Sequence, residues 1–333
     1  MNRFTSATTD LRAHAVLFAM AVIAALLTWN RDVSFDENEA FIRVWDRDSA
    51  DVRLVHYQTP ELDLRIERRT DAAGDYLWGT QIGGMDGGPD TLDFPIGPAG
   101  AALVGRIARL RTLREMGELS PELKRDIGVE GSTSRLLVRF TDEERELILG
   151  DPVYGFPDQY AFEAATGLGY VLSREVMQAL GNGQGNVRER WLHHFPTEVA
   201  QVRVQVGGRM RAMSPAQGGE WMEVGGGAPD LAFATFMQRV DQLAIEGFIV
   251  RPAPENVTTI MRAEYLGEGG ESIGFVELMR DDSADNPYFV RTETTRIPAQ
   301  AVEFLAQRVE EGLDGVFSGA EPGSSSSAAR SAG

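Results

Sequence analysis

Three clusters in this chain have residue types and spacings that could do chemistry. The first is His193-His194, its only histidine pair. Adjacent side chains on an extended chain point to opposite faces, so both rarely reach one metal ion. His56 is the only other histidine beyond the N-terminal region, where His14 lies. The pair therefore reads as part of a linker packed on Trp191 and Phe195, with no metal site. The second is Asp281-Asp282-Ser283-Ala284-Asp285-Asn286, which places oxygen ligands at alternate positions as a calcium loop does. Asn286 stands where such a loop needs Gly, and Thr292 stands where it needs the bidentate Glu. Asn286-Pro287 reads as a turn between two strands. The third is Gly225-Gly226-Gly227, which has the strand, glycine loop, helix order of a phosphate cradle. Glu223 and Asp230 flank it with the wrong charge for an anion.

Other chemistries fall away on composition. The chain has no Cys, which removes disulfides, thiol catalysis, Cys-ligated metals and a lipoprotein anchor. Lys124 is its single lysine and lies between Leu123 and Arg125, so no Gly-Lys-Ser/Thr phosphate loop exists. Carboxylates are abundant, yet nothing in the spacing singles out a glycosidase-like pair. The formal net charge of −18 repels nucleic acid and anionic head groups and reads as a solubility device. The expectation is a protein with no catalytic residues, no cofactor and no metal.

The elements that must position these residues alternate between strands and a few helices. Period-2 patterns at 41–45, 52–57 and 62–67 predict half-buried strands, and Tyr76-Leu77-Trp78 follows a turn. Leu103, Ile107 and Leu110 recur at helical spacing and predict a helix over 99–113. Ser120-Pro121-Glu122 reads as an N-cap with Pro at the first helical position, in a short helix stopping at Gly128. Strands are expected at 135–140, 145–149, 159–163 and 169–172. A helix capped by Ser173 then carries Val176, Met177 and Leu180 until the glycines of 181–185 end it.

The same order starts again after residue 198. Val202, Val204 and Val206 alternate into a turn at Gly207-Gly208, and the strand around Trp221 echoes the one around Trp78. Phe233, Phe236, Met237 and Val240 stripe a helix. Strands follow at 258–265, 272–279 and 288–292, and Val302, Leu305, Ala306 and Val309 stripe a last helix. The fold class expected is α+β, a duplicated strand-rich unit with flanking helices. The first repeat is placed at 36–185, a linker at 186–197, the second repeat at 198–316 and a disordered tail at 317–333. Trp78 and Trp221 are expected at equivalent places, each buried against its own helix; the competing reading makes them a sugar-stacking surface.

Residues 13–30 carry no formal charge and read as a single-pass membrane anchor. Eighteen helical residues span about 27 Å, close to the hydrocarbon thickness of about 30 Å. The side chains facing lipid would be Val16, Leu17, Phe18, Val22, Ile23, Leu26 and Leu27, with Trp29 at the interface. A cleaved signal peptide needs small residues at the end of the apolar run, and Leu26-Leu27-Thr28-Trp29 is a poor cleavage site. Arg3 and Arg12 precede the span, whereas Arg31 is followed by Asp32, Asp36 and Glu37. That bias places 1–12 in the cytoplasm and the remainder on the periplasmic or extracellular side of a bacterial inner membrane.

Three stretches carry a resemblance: Val52-Arg53-Leu54-Val55 with Tyr76-Leu77-Trp78; the run from Leu119 to Val129, leading into the strand at Arg135; and the run from Val187 to Val199, leading into Val202. On these the chain resembles the family called domain of unknown function 4340, although Glu130-Gly131-Ser132 stands where that family usually has Pro. The resemblance implies an N-terminal anchor, a repeated extracytoplasmic unit and a place beside ABC transporters of the gliding-motility type. The function expected is a non-enzymatic accessory subunit of such a membrane complex, its partners being ABC transporter subunits and the lipid bilayer. An extracytoplasmic glycan-binding module and a carboxylate-based hydrolase are the alternatives.

Overall fold

The computed structural model describes residues 42–72, 74–83, 91–248 and 256–318. The fold is α+β, with two antiparallel sheets and helices set against them. Residues 13–30, including every side chain assigned to the anchor, lie outside the described residues. Among the described residues no helix is long and apolar enough to cross a membrane.

The first sheet begins with a two-residue edge strand β1 (Ile42–Arg43), then β2 (Leu54–Gln58), β3 (Asp63–Asp71), β4 (Gly74–Ile82) and β5 (Thr91–Pro95). Helix α1 (Pro98–Ala108), strand β6 (Arg111–Glu118) and the short helix α2 (Pro121–Asp126) follow. The meander β7 (Arg135–Arg139), β8 (Glu144–Pro152), β9 (Gln159–Glu163) and β10 (Leu168–Leu172) completes it, capped by α3 (Arg174–Gly181) and α4 (Gln184–Val187). Its ten strands run β1-β6-β10-β9-β8-β7-β2-β3-β4-β5.

The second sheet is built from β11 (Gln201–Val206), β12 (Arg209–Pro215), β13 (Trp221–Glu223), helix α5 (Leu231–Asp241) and β14 (Ile245–Phe248). Strands β15 (Thr258–Leu266), β16 (Ser272–Arg280), β17 (Tyr288–Thr292) and β18 (Ala299–Ala301) follow, then α6 (Glu303–Glu311) and α7 (Gly315–Ser318). Its eight strands run β13-β12-β11-β15-β16-β17-β18-β14.

One winding generates both orders. In each sheet a meander comes first (β2 to β5 in the first, β11 to β13 in the second), a helix crosses to a distant strand (β6 or β14), and a four-strand meander returns from beside the first meander's opening strand to that distant strand; β1 and β5 are additions at the two edges of the first sheet. Strand for strand, β4-β3-β2-β7-β8-β9-β10-β6 matches β13-β12-β11-β15-β16-β17-β18-β14. The helices match too: α1 packs on α3 and α4, and α5 packs on α6 and α7.

Alternation selects the buried face, as a two-residue period must. Val55 pairs with Ile66 and Val138, and Tyr57 with Leu64 and Leu136. All six are buried. In the second sheet Val202 pairs with Met213 and Tyr265, and Val204 with Arg211 and Ala263, again all buried. The β11–β12 hairpin turns through Gly207 and Gly208 at φ +53° and +82°. Both positive values suit a two-residue turn that follows the strand twist, which L side chains adopt poorly. Arg211 lies on the helix-facing side because two of its guanidinium nitrogens find partners there, while its Nε is buried without one among the described residues. It donates to the Val316 carbonyl at 2.7 Å, pairs with Asp230 at 2.8 Å and with Glu223 at 3.1 Å. Asp230 in turn caps α5 through the Phe233 N–H at 2.9 Å.

Several expectations need correction. The helix expected over 99–113 stops at Ala108, and Arg111–Glu118 is strand β6. Leu110 fits the helical stripe but sits past the helix end, buried, with its carbonyl taken by the Val44 and Trp45 amides. Of the tail expected at 317–333, Phe317 and Ser318 belong to α7 and Arg209 lies over the Phe317 ring at 3.8 Å; residues 319–333 lie outside the described residues. Trp78 and Trp221 sit on matching strands but on opposite faces. Trp78 pairs with Glu67, one residue out of phase with Ile66, so it faces away from α1. There it meets Tyr76 edge-on, with Arg69 over its ring. Trp221 pairs with Pro215, in phase with Met213, and meets Phe233 of α5 edge-on.

Candidate functional site

The site is assembled where α1 begins. Gly97 and Gly100 leave that first turn bare, so the chain segment at 187–189 can press against it. A Cβ on Gly97 would stand 2.9 Å from the Glu189 Cα, and one on Gly100 would stand 2.6 Å from the Val187 carbonyl oxygen. Three backbone links fix the approach. Gly97 N donates to Val187 O at 2.9 Å, Glu189 N donates to Pro95 O at 2.8 Å, and Ile96 bridges Arg188. Residues 187–189 thereby act as an extra strand laid along the end of β5.

Beyond this pinned segment the chain lifts off and leaves a cleft of about 500 Å³. One wall is apolar, formed by Ala99 and Leu103 of α1 and Ala179 of α3. Arg106 of α1 also lines it, and residues 186–191 add Arg188, Arg190 and Trp191. Trp191 is 66% exposed although it is an indole. It therefore does not pack as the linker anchor expected from the sequence; Phe195 fills that role alone. Glu189 also lines the cleft, 4% exposed, with its carboxylate fully occupied. Its Oε1 accepts the Arg190 and Trp191 amides at 2.8 and 2.9 Å, and its Oε2 lies 3.0 Å from His194 Nε2.

The guanidinium of Arg188 is held differently. Its closest hydrogen bond is to the Glu246 carbonyl at 3.5 Å, and its Nε is buried without a partner among the described residues. Burial, and then the neighbouring Arg190 cation, depress its pKa from the ordinary arginine value. Arg190 donates to the Gly185 carbonyl. Among the described residues neither arginine has a carboxylate within ion-pair distance. Arg106 meets Glu175 at 3.8 Å, with both side chains exposed.

His193, adjacent to His194 in sequence, turns to a separate cluster, as opposite-facing neighbours should. Its Nδ1 lies 2.9 Å from Glu293 Oε1, and it stacks on Phe195 at 4.6 Å and meets Tyr265 edge-on at 5.1 Å. Glu293 Oε2 accepts the Phe275 amide at 2.8 Å. Gly274 makes room, since a Cβ there would stand 2.8 Å from both Phe195 and Glu293. Burial raises the Tyr265 phenol well above its ordinary value, with the Asp241 and Glu293 charges adding to it. Thr294 Oγ1 lies 3.0 and 2.9 Å from the Trp191 and Leu192 carbonyls, between which its one proton is shared. The β17–β18 turn thus grips the linker, and Arg296, at φ 60°, reaches on to Asp71 and covers the Tyr76 ring.

The remaining sequence candidates have structural partners. Asp281 Oδ1 accepts both the hydroxyl and the amide of Ser283, and Asn286 bonds Glu246 and the Ala301 carbonyl, forming the expected turn between β16 and β17. His56 pairs with Asp63 at 3.0 Å. Glu223 and Asp230, the carboxylates beside the glycine loop, hold Arg211. Among the described residues no group of three or more His, Cys, Asp or Glu side chains gathers as a metal site. Sequence reasoning quoted Val187 to Val199 as a structural run and missed the cleft. The available signal was Arg188-Glu189-Arg190-Trp191, two cations and an indole in an acidic chain.

No family model, curated protein or solved structure matches the chain.

Proposed function

We propose that this protein is a non-enzymatic accessory subunit working outside the cytoplasm, held to a bacterial inner membrane by residues 13–30. It would assemble with subunits of an ABC-type transport or gliding-motility-like complex. We infer further that its two windings are copies of one unit, 36–185 and 198–316, joined by 186–197. The shared strand order carries this reading. Two copies of one winding, clamped by a linker that Glu189, Glu293 and Thr294 hold in place, make a stiff body suited to spacing partners. The buried carboxylates support it. Glu163 binds Arg145 at 2.6 Å and Thr166 at 2.7 Å, and Glu277 binds Arg262 and Arg291, each at 2.5 Å. Groups held this way weigh against the carboxylate-based hydrolase.

The test is purification of the full chain from mild detergent, with mass spectrometry of what accompanies it. Transporter subunits should copurify, and a chain lacking residues 1–31 should fold, stay soluble and lose them. Recovery of the full chain from the soluble fraction, or rescue of a deletion strain by the truncated form secreted with a cleavable signal, would argue for a free binding protein. A ligand-binding module is the second reading, favoured by the exposed indole at the mouth of an arginine-lined cleft.

A further inference from the structure

We propose that the cleft between α1, α3 and residues 186–191 binds a small organic anion. A carboxylate or phosphate would sit at Arg188 and Arg190, and an apolar or planar body would lie between Trp191 and Leu103. This goes beyond the membrane-subunit reading and does not depend on it.

The argument begins with charge. The chain carries a net −18, yet two cationic side chains two residues apart in one short segment line this cleft with no carboxylate partner among the described residues. Bringing a guanidinium out of water beside a like charge is unfavourable unless an anion completes the site. Arg188, half-buried with Arg190 beside it, is partly in that situation. Its Nε is buried and unpartnered, and its remaining contact is a long one to the Glu246 carbonyl. The one acid in the lining cannot answer it, because Glu189 is occupied by two backbone amides and His194. Those same amides belong to Arg190 and Trp191. The acid that could have neutralised the arginines instead sets where they stand.

Shape gives the rest of the ligand. A guanidinium presents a planar fork that fits two oxygens of a carboxylate or phosphate. About 500 Å³ falls within the range of small-molecule sites, roughly 300–1,000 Å³, and is too small for a folded partner. Ala99, Leu103 and Ala179 offer nothing polar to a ligand's body, while Trp191 offers a flat face. A bare inorganic anion would leave both of those surfaces unused. Nucleic acid is disfavoured by the charge of the whole chain.

The full chain should be titrated with phenyl phosphate and with benzoate, using calorimetry and ligand-observed NMR, with phenol as the neutral probe and inorganic phosphate as the bare anion. At least one aryl anion should bind saturably, with Kd on the order of 10 μM to 1 mM. Phenol and inorganic phosphate should each bind at least about tenfold more weakly. Arg188→Gln, Arg190→Gln and Trp191→Leu should each weaken the aryl anion by about tenfold or more. Arg190 and Trp191 are exposed, so those two variants keep the test decisive if the Arg188 variant does not fold. Absence of binding by both aryl anions up to about 10 mM would overturn the proposal. Unchanged affinity in the arginine variants, equal binding of phenol, or equal binding of inorganic phosphate would overturn it as well. Loss of the membrane partners with anion binding intact would sink only the accessory-subunit reading.

Discussion

Glu189 Oε1 accepts the Trp191 amide at 2.9 Å, and this bond fixes where the indole leaves the protein surface. The same oxygen holds the Arg190 amide at 2.8 Å, so one buried carboxylate shapes three consecutive residues. Glu189→Ala should strand both amides and cost about 1–3 kcal/mol. Glu189→Gln keeps an oxygen in place and should retain most of the stability. Thermal denaturation of the two variants checks the ranking, and an alanine variant as stable as the glutamine variant would show that the carboxylate is not an organiser.

Gly100 lies under Val187, and its replacement tests the wall of the cleft. A Cβ at position 100 would stand 2.5 Å from Ile96 Cγ2 and 2.6 Å from the Val187 carbonyl, which is backbone and cannot swing away. Gly100→Ala should cost about 1–3 kcal/mol through overpacking. Gly105, on the same helix, has nothing within 4 Å of the added carbon. Gly105→Ala should instead stabilise by about 0.5–1 kcal/mol, because alanine loses less backbone freedom. Opposite signs from one substitution type on one helix would be read directly from denaturant midpoints.

Two tryptophans with the same exposure should respond differently to loss of the indole nitrogen. Trp45 and Trp78 are each 6% exposed. Trp45 Nε1 donates to the Ile107 carbonyl at 2.7 Å, a last-turn acceptor of α1, whereas Trp78 Nε1 has no partner among the described residues. Trp45→Phe leaves that carbonyl unpaired and should cost about 1–3 kcal/mol more than Trp78→Phe. Equal losses in chemical denaturation would contradict the assignment.

The strands were legible wherever one face is buried. Val202, Val204 and Val206 alternate in the sequence, and their partners in β12 and β15 require that alternation. The Gly207-Gly208 turn was legible for the same local reason. Strands β5, β6, β14 and β18 were not. Leu110 extends the stripe of α1 by chance of spacing, and pairing with β10, which begins only at Leu168, draws 111–118 into a strand. The faces of Trp78 and Trp221 were hidden too, because one residue of register separates them and like residue types do not report register. The cleft needs Leu103, Ala179 and Arg188 together, which no window along the chain contains. Its signal was chemical: two arginines and an indole around a glutamate that turned out to be facing backbone.

Asp281 gives the pH dependence with the clearest sign. Its carboxylate accepts the Ser283 hydroxyl at 2.6 Å and the Ser283 amide at 2.9 Å, and these bonds, the hydroxyl first, hold its pKa below the ordinary aspartate value of 3.8. A depressed acid favours the folded state in its ionised form. Its contribution is therefore complete above the unfolded-state pKa and fades as pH falls through the lower folded-state value. Asp281→Asn should accordingly lower the melting midpoint at neutral pH, and the gap to the parent chain should hold constant down to about pH 4 and narrow below it. Ser283→Ala should reproduce part of that pH dependence, since it removes the leading cause of the shift and leaves the Ser283 amide bond in place. Thermal melts across pH 2.5 to 7, on the order of five points, suffice to see the trend. A gap that widens towards low pH would reverse the sign argued for this turn and would reassign Asp281 as a group stabilised by its proton.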